Sequence, residues 1–367
     1  MIQTQQKTFS TPDFQSSFLD AKFYTDPNLL AREKQKIFRR SWLYVGDAAN
    51  LSRAETVWVT EVAGYSILII RDSNHTWQAF HNVCPHRASV LVPEIGIHSL
   101  KRLVCPYHAW VYNLNGQLKG IPAKNRFPSH FCDEDFPLKK VRCEQWLGFI
   151  FVCFSEDTPP LEEYLGEIIG SVKEHHTEAT KLLVKKQYSV ACNWKNYHDN
   201  TLCDYHVPIV HPHTLNPIQG SVCYYEHFFD RYVNLLYTPT TKEWRSRYPS
   251  LSHLSDRARF GFFTYGIFPN LHLLALPNGV LAWLRIDPVT VESCLVNLEI
   301  YGIPDFSPPA AELASDFEAF MSEDMKITEG VQKGYASGVY QAGLANELEA
   351  RILHQQQLIR SCLQADN

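Results

Sequence analysis

Two short segments constrain this chain more than any other part of it. Residues 84–87 read CPHR and residues 105–110 read CPYHAW, so Cys84, His86, Cys105 and His108 offer two thiols and two imidazoles from a pair of matching loops. A [2Fe–2S] cluster in which two imidazoles replace two thiolates on one iron needs that donor set, and the neutral nitrogens raise its reduction potential above that of all-cysteine clusters. Structural zinc sites usually pair Cys with Cys and His with His, so the alternating order fits zinc less well. Pro85 and Pro106, fixed in φ, stiffen both loops.

The runs around these loops, VWVTEV, YSILIIR, TWQAFHNV and WLGFIFVCF, are short and β-rich, which predicts an antiparallel β module ending near residue 154. Composition shifts at the polar, Pro-bearing SEDTPP, and a second domain is expected from residue 160 to the end. There, 161–176 and 193–206 read as helical and 182–191, 222–237, 260–275 and 279–302 as strands, with long helices from Pro309 to about Tyr335 and from Ala345 to Leu363. Strands flanked by helices give an α+β domain. An amphipathic helix is expected within 12–42, with Leu29, Leu30, Ile37 and Phe38 on its apolar face.

Lys and Arg number 34 against 39 Asp and Glu, a net charge of −5 without any basic run, which argues against a nucleic-acid partner. The start, MIQTQQKTFSTPDF, lacks the charged-then-apolar pattern of a secretory signal, so a cytoplasmic location is expected. No apolar run approaches the ~20 residues of a membrane span. Ten cysteines in such a chain are expected to be reduced, buried or metal-bound rather than paired.

A second constellation lies in NWKNYHDNTLCDYHVPIVHP, residues 193–212, where His206 and His211 stand among Asp199 and Asp204 in a stretch too polar for simple packing. Two histidines and one carboxylate on one face of an iron, with positions left open for oxygen and substrate, form the facial triad of non-haem Fe(II) oxygenases. The third ligand has to come from elsewhere. In ASDFEAFMSEDMKITEGVQKG the apolar positions Phe317, Phe320, Ile327 and Val331 form one helical stripe that includes Asp324, whereas Glu323 aligns with Asp316 and Lys326 on the solvated side. A buried lone carboxylate is costly unless paired or metal-bound, so Asp324 is the expected ligand and Glu323 the alternative.

Over roughly residues 15–360 the chain resembles the α subunits of Rieske-type ring-hydroxylating oxygenases. C-x-H and C-x2-H loops on a small β module are the Rieske signature, with Arg87 and Trp110 where that family has them and Ala88 and Ala109 where it commonly has glycine. Residues 193–211 are similar to the family's N-W-K … N … D-x-x-H-x4-H motif. Carried over, Asn193, Trp194 and Lys195 open it, Asn200 lies near the iron, His206 and His211 are iron ligands, and the ligand that precedes a late-helix Gln is Asp324, ahead of Gln332. One departure stands out. Most relatives carry an acid three residues before the first histidine, bridging the two metal centres, and here that position is Cys203. A thiol is a poor acceptor beside a carboxylate, so Asp204 is expected to take the bridge, with Cys203 as the alternative.

The resemblance implies an N-terminal all-β Rieske [2Fe–2S] domain over 43–155 and a C-terminal α+β helix-grip catalytic domain with a central antiparallel sheet over 160–367, against which a helical segment, 1–42, packs. It also implies a head-to-tail homotrimer in which one subunit's cluster meets its neighbour's mononuclear Fe(II), His108 hydrogen-bonding Asp204 across the interface. Electrons would come from NAD(P)H through a separate reductase, with or without a ferredoxin, because no G-x-G-x-x-G follows a strand here. The product would be a hydroxylated small organic compound. Aromatic residues in 260–284 suit an aromatic ring or carboxylate by stacking and a quaternary ammonium by cation–π attraction. The spacing N-x5-H from Asn200 to His206 is similar to that of relatives acting on carnitine- or betaine-like compounds. The alternative from another class is a Rieske electron-transfer protein without oxygenase activity.

Overall fold

The computed structural model describes residues 17–51, 55–71 and 76–364. The amino-terminal leader reading and residues 12–16 of the expected amphipathic helix lie outside them. The chain forms two compact units, one spanning Phe38–Leu161 and one joining the residues up to Ile37 with those from Glu162 onward.

The Phe38–Leu161 unit contains strands β1 (Leu43–Asp47), β2 (Thr56–Val62), β3 (Tyr65–Arg71), β4 (Trp77–His81), β5 (Gly96–Ser99), β6 (Leu103–Val104), β7 (Val111–Tyr112), β8 (Leu118–Gly120), β9 (Lys140–Trp146) and β10 (Phe149–Cys153). Seven form one sheet in the order β1-β10-β9-β4-β3-β2-β5, and β6-β7-β8 form a small second one. The β2–β3 hairpin turns on Ala63 and Gly64, both at positive φ (52° and 82°), as a two-residue connection matched to strand twist requires. Alternate residues of these strands, among them Val57, Val59, Leu68, Ile70 and Phe80, bury one face with Trp110 and Tyr112.

The other unit contains β11 (Lys181–Val190), β12 (Glu226–Phe229), β13 (Val233–Pro239), β14 (Gly261–Ile267), β15 (Leu271–Ala275), β16 (Leu281–Thr290) and β17 (Ser293–Gly302), one antiparallel sheet in the order β11-β17-β16-β15-β14-β13-β12. Helices Trp194–Thr201 and Ala310–Ala336 pack on each other and on this sheet, and the last helix, Ala350–Gln364, packs on β12, β13 and the helix Pro27–Lys36. The all-β module followed by an α+β domain is the expected fold class.

Several element readings change. The helix expected over 161–176 stops at Leu165 and resumes as a 3-10 turn, Ile168–Glu174. Gly166 sits between them at φ +70°, where a Cβ would come within 2.1 Å of the Asp230 carboxylate. The strand expected over 222–237 is a 3-10 turn, Val222–Tyr224, and then a hairpin, closed where Asp230 N–H donates to the Val233 carbonyl (2.8 Å). The amphipathic segment is helical mainly over Pro27–Lys36, because Asp26 caps that helix by accepting from Asn28 N (2.8 Å) and Pro27 starts it. The helix expected over 193–206 ends at Thr201.

Candidate metal centres

The two Cys/His loops have one and the same backbone. Loop 84–89 is closed by a bridge between Val83 and Val90, and loop 105–110 by the pairing of Val104 with Val111. In each, the cysteine N–H donates five residues ahead (Cys84 to Ser89 O, Cys105 to Trp110 O, both 2.8 Å) and accepts at its carbonyl from the residue four ahead (Ala88 N 2.9 Å, Ala109 N 3.0 Å). That turn puts Ala88 and Ala109 at φ +58° and +53°, left-handed backbone that explains why glycine is common at both places. Asn82, fully buried, pins the first loop: its Oδ1 accepts from Leu91 N and Val92 N, and its Nδ2 donates to the Val92 carbonyl (2.7 Å).

The side chains on these loops converge. Cys84 and Cys105 are buried free thiols, and Tyr112 Oη lies 3.3 Å from Cys84 Sγ. Burial raises the Cys84 thiol, whereas at Cys105 burial is outweighed by the backbone N–H groups of Tyr107 and His108, which lower it toward the thiolate. The rings of His86 and His108 stand 4.7 Å apart, and His86 stacks on Trp110 at 4.6 Å. Nδ1 of each histidine is buried and has no hydrogen-bond partner. Two thiols with two buried, unpartnered imidazole nitrogens fit a cluster that takes two ligands of each kind.

The second constellation also comes together. His206 Nε2 lies 3.1 Å from His211 Nε2, His211 Nε2 lies 3.0 Å from Asp324 Oδ1, and His206 Nε2 lies 3.4 Å from the same oxygen. Bonds of about 2.1 Å at right angles place neighbouring donors about 3.0 Å apart, so the three atoms fit one face of an octahedral ion. His211 Nδ1 donates to Glu323 Oε2 (2.7 Å), which also accepts from Thr214 Oγ1 (2.8 Å). That fixes the tautomer that leaves the Nε2 lone pair free for a metal.

Asp324 faces inward on a stripe that differs from the expected one. The buried residues of its helix are Leu313, Phe317, Met321, Asp324, Thr328 and Gln332, while Ile327 and Val331 are exposed. Glu323, expected on the solvated side, is instead the acceptor that orients His211. No local pattern marks it, because its partner lies 112 positions away.

Asp204 is a correction. It is 3% exposed, its Oδ2 accepts from His227 Nε2 (2.8 Å) and its Oδ1 from Arg351 Nη1 (3.4 Å), inside the protein. A buried carboxylate held by a buried guanidinium is not presented to another subunit. Cys203 lies 4.0 Å from Glu349 Oε1, and burial pushes its thiol up to about 12, so it stays protonated. Asn200 stands beside the triad with a buried, unpartnered Nδ2.

The triad lines a partly open pocket of about 600 Å³, counted with the solvent at its mouth, together with Asn200, Asp204, Gln219, His272 and Phe320. A cleft of about 1450 Å³ adjoins it through Leu215, Gln219, Thr264, Leu274 and Phe320. The cleft is walled by Trp244, Tyr248, Phe262 and Phe317 and carries Glu243, Arg247 and Asp316. Of the aromatic-rich stretch 260–284, Phe262 lines the cleft, whereas Tyr265 and Trp283 are buried and line neither space.

The family model for the ring hydroxylating alpha subunit (catalytic domain) matches residues 173–365, and that for the Rieske [2Fe-2S] domain matches residues 41–139. The chain is 30% identical over 335 residues to the carnitine monooxygenase oxygenase subunit of Escherichia coli K12, an alignment covering 88% of this chain and 85% of that one. A quaternary ammonium Rieske monooxygenase in complex with L-carnitine superposes with a TM-score of 0.80 at 23% identity, over 95% of this chain and 96% of that one. Naphthalene 1,2-dioxygenase with bound indole gives 0.72 at 20% identity, over 89% and 81%. These two structures share its fold. The two cofactor domains in order, and a relative similar over nearly the whole length, show that the chain belongs to the ring-hydroxylating α-subunit family, as the oxygenase component of a Rieske non-haem iron enzyme supplied with electrons by a separate reductase.

Proposed function

We propose that Cys84 and Cys105 through sulfur and His86 and His108 through Nδ1 hold the [2Fe–2S] cluster, that His206, His211 and Asp324 hold the ferrous ion, and that the chain hydroxylates a quaternary ammonium compound. The convergence of the last three donors to within 3.0–3.4 Å of one another carries the reading. Once bound, the metals supply one-electron transfer, with NAD(P)H as the distant donor through the reductase, and activation of O2. The chain's own residues arrange this chemistry. Glu323 holds the His211 ring, Phe320, Met321 and Leu284 keep the cavity beside the triad apolar, and Asn200 offers it an unpartnered amide donor. Glu323→Ala should lower the affinity of the mononuclear site for Fe(II) by about 10- to 100-fold, as loss of an outer partner of a metal ligand does. Fe(II) titration of protein depleted of mononuclear iron measures this, and an unchanged affinity would remove Glu323 from that role.

The adjoining cleft supports the substrate class. Arg247 donates to Glu312 Oε1 (2.6 Å), so its charge is already paired, and Glu243 and Asp316 leave the aromatic walls in a negative surround. Aromatic faces with nearby carboxylates attract a quaternary ammonium and repel a substrate carboxylate held at the same spot. The relatives named for carnitine and quaternary ammonium substrates agree with this reading.

Assembly as a closed homotrimer is supported by exposed apolar residues at both centres. Val104 and Tyr107 (54% exposed) lie before and within the second cluster loop, Tyr205 and Ile209 (80% exposed) lie on the segment that carries His206 and His211, and Val331 lies on the helix of Asp324. A head-to-tail pairing of these two surfaces closes into a ring. No described helix is long and apolar enough to cross a membrane, and we place the enzyme in the cytoplasm, beside its reductase.

The test is substrate-dependent O2 uptake with a surrogate reductase across trimethylammonium and aromatic carboxylate compounds, with product mass read under ¹⁸O2. Uptake with a trimethylammonium compound and label in its product are expected. Uptake only with aromatic carboxylates would overturn the substrate class. Two irons per chain and no uptake at all would favour the electron carrier.

A further inference from the structure

The triad has one side that its own subunit leaves unfinished. His211 Nδ1 has Glu323, but His206 Nδ1 is buried and has no hydrogen-bond partner. His206 also lines a second, more open pocket on the other side, about 920 Å³, with Asn200, Cys203, Asp199 and Glu349. Acids in that pocket are therefore the candidates for the missing acceptor, and among its lining residues there are two, Asp199 and Glu349.

Asp199 is buried, and although its Oδ1 has no partner the carboxylate is tied down through its other oxygen. Its Oδ2 accepts from Tyr24 Oη (2.6 Å) and Gln356 Nε2 (2.8 Å) deep in the protein. Glu349 differs in its exposure. The Leu348 carbonyl accepts from Asp204 N (3.1 Å), which pins residues 347–349 alongside the Cys203–Asp204 segment. Glu349 Oε2 accepts from Asn346 N (2.8 Å) in a capping box, so the carboxylate is held in place, while Oε1 faces the Cys203 thiol at 4.0 Å. Glu349 is half-exposed and lines that open pocket.

We propose that Glu349, a residue of the carboxy-terminal region, supplies the carboxylate that links His206 Nδ1 to a cluster histidine, His108, of a second copy of this chain. The proposal rests on the inter-subunit reading above and deepens it. Cys203 occupies the place from which a carboxylate would otherwise reach His206, and its neutral thiol yields that place to an acid brought in from 146 positions away. Glu349 is neither oxidised nor reduced in this role: the one electron that leaves one centre arrives at the other. It is a positioning residue, holding the two imidazoles through a shared anion.

The test compares the wild-type protein, Glu349→Gln and the double variant Glu349→Gln/Cys203→Asp, each with both metal contents and oligomeric state measured. Glutamine preserves the capping box, so the fold of residues 346–349 is kept. Two readouts are taken. In rapid mixing of substrate-loaded, reduced protein with O2, reoxidation of the cluster should slow by about 10- to 100-fold in Glu349→Gln and recover in the double variant. In redox titrations, the pH above which the cluster potential begins to fall should move downward in Glu349→Gln, because loss of an anionic neighbour lowers the pKa of a histidine. Wild-type reoxidation and an unmoved pH profile in Glu349→Gln would overturn the proposal while leaving the enzyme class intact. Absence of substrate-dependent reoxidation in the wild-type trimer, or a monomeric wild type, would overturn the inter-subunit reading and the proposal with it.

Discussion

Asp324→Ala should strip the mononuclear iron and leave the cluster untouched. Three donor atoms at 3.0–3.4 Å define the site, and Asp324 is the only charged one of the three. Two neutral imidazoles without a carboxylate hold Fe(II) weakly, and they neutralise none of its charge. Iron per chain should fall from about three to about two while inorganic sulfide stays at about two, as expected if only the cluster remains. The visible spectrum should not change, because the cluster loops belong to the separate Phe38–Leu161 unit. Substrate-dependent O2 uptake should fall to background. Glu323→Ala is the paired comparison: it should keep partial iron at saturating Fe(II), since Glu323 reaches the site only through His211 Nδ1. Full iron occupancy in Asp324→Ala together with loss in Glu323→Ala would exchange the two roles.

What was legible in the sequence follows from how local each feature is. The cluster donors stand within two turns of a repeated backbone pattern, and Pro85, Pro106 and the Ala88 and Ala109 positions all belong to that pattern, so spacing alone exposes them. His206 and His211 are five positions apart on one segment and are equally visible. Asp324 joins His206 and His211 in the structure although half of its expected stripe faces outward. Ile327 and Val331 are apolar but exposed, and hydropathy does not distinguish a side chain facing its own core from one offered to another surface. Asp204 went wrong for a different reason. The helix ends at Thr201, short of it, and the partners that draw Asp204 inward, His227 and Arg351, lie 23 and 147 positions away. Glu349 is invisible for the same reason: its importance comes from a fold contact that no window of sequence contains.

The N-W-K opening of the second motif is structural, and breaking it should cost more stability than any surface change. Asn193 caps the helix Trp194–Thr201 by accepting from Lys195 N (3.1 Å), Trp194 Nε1 donates to Glu33 Oε2 (2.8 Å), and Lys195 Nζ pairs with Glu33 Oε1 (2.7 Å). The side chains of Lys195 and Glu33 are both 0% exposed, so each charge depends on the other. Burial lowers Lys195, while Glu33 and, behind it, Asp199 oppose that fall, and Lys195 Nζ also donates to Asn193 Oδ1 (2.8 Å). This knot ties the helix Pro27–Lys36 to the helix that carries Asn200, and so fixes one wall of the iron site. Lys195→Met leaves Glu33 charged and alone, a loss of about 3–5 kcal/mol for a broken buried pair. For a unit of this size that is a fall in Tm on the order of 10 °C. Glu33→Gln/Lys195→Met should recover most of it, because the glutamine carbonyl still accepts from Trp194 and no unpaired charge remains. Calorimetry on the metal-loaded protein measures both variants. A single variant as stable as wild type, or a double variant no better than the single, would mean that the pair does not hold these helices together and that the motif must be explained by chemistry at the iron.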